Sequence, residues 1–170
     1  MAEPITLAEA KKFMRIDEDY AYDDAIIEIM IQANREYLEG ELGLSLVPKT
    51  NLKYKYTRPC CGQLQRIYLP YGPVEDVVYT NTDNVVQDAP TNLSPDDNYP
   101  AYRLYYSGTL TYNAGNWGDV FPASLKLALL MLVATNYENR ENFVVGQTVT
   151  PVTQNALNLA SKYSRNLYLS

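Results

Sequence analysis

The sequence predicts an α+β fold, a mainly helical core of two N-terminal and two C-terminal helices with a β-rich insertion between them. Three observations lead there. Apolar residues recur at helical spacing near both ends of the chain, from Leu7 to Leu38 and from Leu125 to Leu167. From about residue 48 to 113 the pattern changes to short alternating runs rich in Tyr, Val and Thr, broken by Pro and Gly. At 170 residues the chain suits one domain, expected over 1–170, of a size that buries roughly 70% of its unfolded surface without help from a disulfide or metal.

The first helix is expected over about 6–16. Thr6 is placed to cap it and Glu9, three residues on, to reach back to the Thr6 amide, a capping box, with Ile5 stapled against Ala10. The acidic run Asp17-Glu18-Asp19 then leads into a second helix over about 22–41, with Asp23 and Asp24 at the positive end of its dipole. Two apolar stripes run along it, Ile26, Met30, Ala33 and Tyr37 beside Ile27, Ile31 and Leu38, and Gly40 and Gly43 supply the stop. Two stripes make a face wider than one contact needs, so both are core or one of them meets a neighbouring subunit.

In the insertion, Asn51–Tyr56 alternates as a half-buried strand should, with Leu52, Tyr54 and Tyr56 against Lys53 and Lys55. Further strands are expected over 66–69, 74–80, 101–106 and 109–113, and Ser107-Gly108 is placed to turn the last two into a hairpin. Residues 81–100 form a long polar stretch with room for a short strand at Val85-Val86; a loop of that length in a small domain is often functional or disordered. Pro122 opens a third helix over about 122–142, apolar nearly all round from Leu125 to Ala134 apart from Lys126, and a last helix follows over about 153–167.

Composition narrows the chemistry. There is no histidine, which removes imidazole-based triads, Cys-His pairs and His metal sites. The two thiols, Cys60 and Cys61, are adjacent in a Pro-Cys-Cys-Gly turn and supply too few ligands for a structural zinc. The densest carboxylate cluster, from Asp17 to Asp24, reads as a solvated helix cap, and no phosphate-binding loop is present. No catalytic residue, cofactor or metal is therefore expected. The net charge of −6 disfavours gripping nucleic acid by charge. Lys53, Lys55, Arg58 and Arg66 interleave with Tyr54, Tyr56 and Tyr68, an arrangement that serves either a single-strand platform or the solvent face of a packed strand; the acidic balance favours the second. The 16 Tyr against 3 Phe and 1 Trp suit either surfaces covered on assembly or aromatic-rich strands. No charged-then-apolar leader opens the sequence, and the run Leu127–Ala134 is too short to cross a bilayer, so a soluble chain made in a reducing cytosol is expected.

Four patterns in this order resemble the head–tail connector, or adaptor, proteins of tailed bacteriophages. They are the capped first helix ending at Ile16-Asp17; Ala33-Asn34-Arg35-Glu36-Tyr37 with Gly43; Leu69-Pro70 before Pro73-Val74; and the Pro122 helix closing on Tyr137-Glu138-Asn139-Arg140-Glu141. The last is the most specific. The resemblance implies a non-enzymatic virion protein, made in the host bacterial cytoplasm and sited in the neck. There it would form a ring, commonly twelvefold, under the portal protein, extend the DNA channel without sequence-specific binding and offer a platform to the next neck or tail protein, with no membrane partner. The alternatives are another neck component, such as a stopper or tail-side adaptor, and a nucleic-acid-binding accessory domain. On this reading the interface candidates are Ile27 and Ile31 on the second helix, Tyr54, Tyr56, Tyr68, Tyr102 and Tyr105 in the insertion, Asn139 and Arg140 after the third helix, and Tyr168 near the C-terminus.

Overall fold

The computed structural model of the chain describes residues 3–59, 66–88, 90–94, 100–118, 121–139 and 152–164. The fold is α+β, and contacts group its described residues into two compact units, one within Met1–Leu42 and Gly118–Arg165, the other within Gly43–Trp117.

The helical unit contains α1 (Leu7–Phe13), α2 (Asp24–Leu42), α3 (Ala123–Glu138) and α4 (Val152–Ala160), the last continued by one 3-10 turn at Ser161–Tyr163. The capping box is formed: Thr6 Oγ1 accepts from the Glu9 amide at 3.2 Å and Glu9 Oε2 accepts from the Thr6 amide at 3.0 Å. α1 is shorter than its apolar spacing suggests, because Arg15 turns left-handed at φ 59°. The amides of Arg15 and Ile16 then bond back to the carbonyls of Lys12 and Lys11, which closes the helix in a Schellman arrangement. α2 starts at Asp24 rather than Tyr22, since the Asp23 carbonyl accepts the first helical bonds, from Ile26 and Ile27. α1, α2 and α4 pack on α3, and the core is Ile5, Ala10, Ile27, Ile31, Leu38, Leu42, Leu125, Ala128, Leu129, Leu132, Val133, Ala156 and Ala160. The expected ends of α3 and α4 at 142 and 167, and Cys60 and Cys61, lie outside the described residues.

The motif residues of α2 and α3 work inside this unit. Asn136 Nδ2 donates to Asn34 Oδ1 at 2.8 Å, while Asn34 Nδ2 donates to the Met30 carbonyl at 2.8 Å. Tyr137 donates its hydroxyl to the buried Asp23 carboxylate at 2.7 Å. Arg35 is buried and pairs with Glu3 at 2.8 Å and with Glu39 at 3.4 Å. A charged group held out of water costs free energy unless its hydrogen bonds are met. The Asn136 and Tyr137 bonds fix α3 against the start and middle of α2, the Glu3 pair ties the segment before α1 to α2, and the Met30 and Glu39 contacts stay within α2.

The second unit is a four-stranded antiparallel sheet in the order β1-β6-β3-β4, with β1 at Lys49–Tyr56, β3 at Val74–Asn81, β4 at Val86–Gln87 and β6 at Gly108–Ala114. A two-stranded ribbon, β2 (Ile67–Tyr68) with β5 (Ala101–Tyr102), completes it. The ribbon's Ile67 and Tyr102, with the adjoining Leu69 and Leu104, share one core with Tyr56, Val74, Tyr79, Leu110, Tyr112 and Ala114 from the main sheet. The hairpin expected about Ser107-Gly108 does not form: β5 pairs with β2, and β6 lies between β1 and β3. Tyr79 fills that corner instead, its hydroxyl donating to the carbonyls of Tyr106 and Ser107 at 3.1 and 3.2 Å.

Each strand flanking β6 carries a bulge with a left-handed residue, Asn51 at φ 56° in β1 and Asp76 at φ 51° in β3. Asn113 on β6 serves both. Its Oδ1 accepts from the Asn51 amide at 3.0 Å and its Nδ2 donates to Asp76 at 2.9 Å. Gly108 is required where β6 crosses Tyr79, since a Cβ there would collide with the Thr80 carbonyl oxygen and lie 2.5 Å from the Tyr79 ring.

Candidate assembly surfaces

The helical unit presents an acidic, aromatic ridge. Lys11 is only 3% exposed, and its ammonium donates to the carbonyls of Glu18 at 2.7 Å and Tyr20 at 2.9 Å. The Asp24 carboxylate lies 3.0 Å away as an ion pair whose geometry is not that of a hydrogen bond. One buried lysine thus clamps the connection between α1 and α2. Asp17, Glu18 and Asp19 stay in solvent on the clamped segment. Tyr20 and Tyr22 stand beside each other with ring centroids 6.4 Å apart, and Tyr22 is 86% exposed. From there the outer face of α2 continues with Ile26, Ile29 (67% exposed), Ala33 and Tyr37.

The two stripes of α2 therefore separate. Ile27, Ile31 and Leu38 face the interior of the helical unit, and Ile26, Ala33 and Tyr37 face water with Met30 between. The exposed stripe also includes Ile29, which the sequence reading did not single out; its position three residues after Ile26 was the available signal.

On the sheet unit, β1 alternates as expected, but its two faces part the aromatics from the cations. Tyr54 and Tyr56 turn toward the core, while Lys53 and Lys55 are exposed. A continuous platform of interleaved Tyr and Lys is not assembled on this strand. Lys55, Arg66 and the exposed Tyr68 are instead brought round one shallow hollow of about 490 Å3, with Tyr54, Tyr56, Thr57 and Ile67 in its walls. Tyr56 is buried there with no partner for its hydroxyl among the described residues. A larger groove of about 1030 Å3 runs past Arg58, Asp83, Asp88, Arg103, Tyr105 and Tyr106.

The stretch 81–100 is partly ordered by its asparagines. Asn81 Oδ1 accepts from the amides of Asp83 and Val85 and so folds the turn into β4, and Asn92 Oδ1 accepts from the amides of Ser94 and Ala101. Asx turns of this kind supply the structure that the polar composition does not reveal.

Of the ten interface candidates, Tyr68 and Tyr105 lie at the surface, Tyr54 is half-buried, and Ile27, Ile31, Tyr56 and Tyr102 are buried within their own units. Asn139 is exposed and caps its own helix, its amide and side chain both donating to the Thr135 carbonyl. Arg140 and Tyr168 lie outside the described residues.

Electrostatic shifts are few. The Lys126 ammonium, 2.5 Å from Glu9, and the Thr6 amide hold the Glu9 carboxyl below its usual range. Burial pushes the Tyr79 and Tyr102 phenols up. A hydrogen bond with Ser124 lowers the Tyr163 phenol. Among the described residues no group of His, Cys, Asp and Glu is arranged to hold a metal ion, and no helix is long and apolar enough to cross a membrane.

Residues 4–65 match the model of the phage gp6-like head-tail connector protein family. That segment takes in α1, α2 and β1. Among solved structures, a chain in the neck of an empty GTA particle computed with C6 symmetry aligns over 100% of this chain and 95% of its own, at 19% identity and a TM-score of 0.68. A chain in the virion of a native gene transfer agent (GTA) particle aligns over 98% and 92%, at 20% identity and a TM-score of 0.67. No curated protein matches the sequence. At these identities the structural likeness speaks for the fold, which extends across both units.

Proposed function

We propose that this chain is a structural, non-enzymatic protein of the neck of a tailed phage-like particle, a head–tail connector that works as one protomer of a ring. The observation that carries the reading is the agreement of two independent likenesses. The N-terminal 4–65 segment fits the connector family, and the whole fold, sheet unit included, fits a chain from a particle neck. The surfaces support it. Exposed Tyr, Ile and Val on both units, with Tyr106 at 70% and Ile29 at 67%, suit contacts completed on assembly.

In this role the ring sits beneath the portal, lines the path of the DNA and presents a platform to the next neck or tail component. A neck averaged with sixfold symmetry accommodates six or twelve copies, and twelve is the number the sequence resemblance implies. A net charge of −6 suits a wall that DNA slides past. The test is to mix the purified chain with the portal ring of the same particle and image the mixture by negative-stain electron microscopy. A second ring of density on the narrow end of the portal is expected. Bare portals would overturn the placement under the portal and favour a position further down the neck.

A further inference from the structure

We infer that the acidic, aromatic ridge at the start of α2 docks into the basic hollow beside β1 on a second copy of this chain. The inference rests on the ring reading above and names the contact that would build the ring.

Charge is the first argument. Residues 17–41 hold nine acidic side chains against Arg35 alone, a net of −8. The next 33 residues, 42–74, hold five basic side chains and no acidic one. Asp23 and Glu39 are buried and bonded and Asp24 is paired with Lys11, but Asp17, Glu18 and Asp19 on the ridge and Lys55 and Arg66 at the hollow are exposed, so the surfaces that meet solvent are of opposite sign. Of these two concavities, the smaller has Lys55 and Arg66 as its charged lining among the described residues, whereas the larger sets Arg58 and Arg103 against Asp83 and Asp88. The smaller hollow is the one that favours a carboxylate-bearing guest.

Shape is the second. The ridge is held in place before any partner arrives, because buried Lys11 ties down the backbone at Glu18 and Tyr20. A rigid aromatic on a preorganised turn loses little entropy on docking. Tyr22, at 86% exposure, is the most exposed large apolar side chain among the described residues and leads the ridge, with Ile26 behind it. The hollow offers Tyr68 and the aliphatic stems of Lys55 and Arg66 as the opposing apolar wall.

Handedness of the contact is the third. Ridge and hollow are different surfaces, so each copy uses one to bind the copy ahead and the other to bind the copy behind. Such a head-to-tail interface closes into a ring when its rotation allows.

Sedimentation velocity on the full chain tests this, with Asp17→Lys/Glu18→Lys/Asp19→Lys reversing the ridge and Lys55→Glu/Arg66→Glu reversing the hollow. All five side chains are exposed, and circular dichroism checks that each variant is folded. Each reversal alone is expected to weaken self-association at least about tenfold, and the variant carrying both to recover it, since like charges facing across an interface oppose binding and the double reversal restores opposite signs. Added salt should weaken wild-type association in parallel. Wild-type association that neither reversal changes overturns this interface and leaves the ring reading standing. A wild-type chain that stays monomeric both free and on the portal overturns the ring reading, and this contact with it. Retention of a single-stranded oligonucleotide that Lys55→Glu/Arg66→Glu abolishes, with self-association unchanged, assigns the hollow to nucleic acid and overturns the proposal.

Discussion

The helical and sheet units reach order by different means. The helical unit packs Leu, Ile, Val and Ala into its core and then fixes the helices against one another with buried polar contacts from Lys11, Asn34, Arg35 and Tyr137. The sheet unit uses tyrosine as core, with Tyr56, Tyr79, Tyr102 and Tyr112 buried, and fixes its strands by left-handed bulge residues at Asn51 and Asp76 and a close approach at Gly108. The charge follows the same division. Fourteen of the twenty acidic residues and eight of the fourteen basic ones belong to the helical unit, leaving the sheet unit six of each. The contrast teaches that polar contacts register the helices, where apolar packing alone tolerates sliding, while bulges held by Asn113 and a close backbone approach at Gly108 register the strands.

Five substitutions break or sharpen that contrast. Lys11→Met should have the largest effect, about 3 kcal/mol, at the low end for opening a buried pair because Asp24 keeps some contact with water. Urea unfolding measures it, and a loss below about 1 kcal/mol would mean that the clamp is dispensable. Gly108→Ala should cost the sheet unit about 2 kcal/mol, since the new methyl meets the Thr80 carbonyl and the Tyr79 ring rather than a side chain that can move away. Thermal unfolding at matched concentration reads the change.

Two hydroxyl deletions separate burial from bonding within the tyrosine core. Tyr112 donates to the Pro70 carbonyl at 3.1 Å, so Tyr112→Phe should cost about 1 kcal/mol. Tyr56 has no such partner, so Tyr56→Phe should cost nothing or stabilise. Equal losses at the two positions would show that the Tyr56 hydroxyl is satisfied after all.

The smallest expected loss among the charged groups is electrostatic. The folded state holds the Glu9 carboxyl below its ordinary 4.5, so the associated stability is fully present above that value and is lost as pH falls through the lowered one. The Glu9–Lys126 pair is more than a third exposed on both sides, which limits its worth to under about 1 kcal/mol. Glu9→Gln should remove that part of the acid dependence while leaving the rest of the profile in place, as a pH series of unfolding curves would read.

Much of the helical unit was legible in the sequence because its signals are local. Thr6 and Glu9 sit three residues apart and bond across those three residues. Two apolar stripes were visible on α2, but which of them faces inward depends on α3, more than eighty residues away in the chain, and Ile27 and Ile31 turned out to be core. Arg15 gave no warning of its left-handed turn, since nothing in an arginine demands it. The sheet was harder to read. Strand positions followed from alternation, yet the pairing of β6 with β1 and β3 is a choice among distant partners, and the nearest candidate strand proved the wrong one. The basic residues near β1 were visible as a pattern, but the hollow formed by Lys55, Arg66 and Tyr68 required the ribbon to be placed.

The central claim, that the chain joins head to tail, is tested most directly by deleting its gene from the particle-producing genome and imaging the products by electron microscopy, with the chain resupplied in trans as control. The account predicts packaged or leaking heads and separate tails that fail to join, with joined particles restored by the resupplied chain. Normally tailed, infectious or DNA-transferring particles in its absence would contradict it.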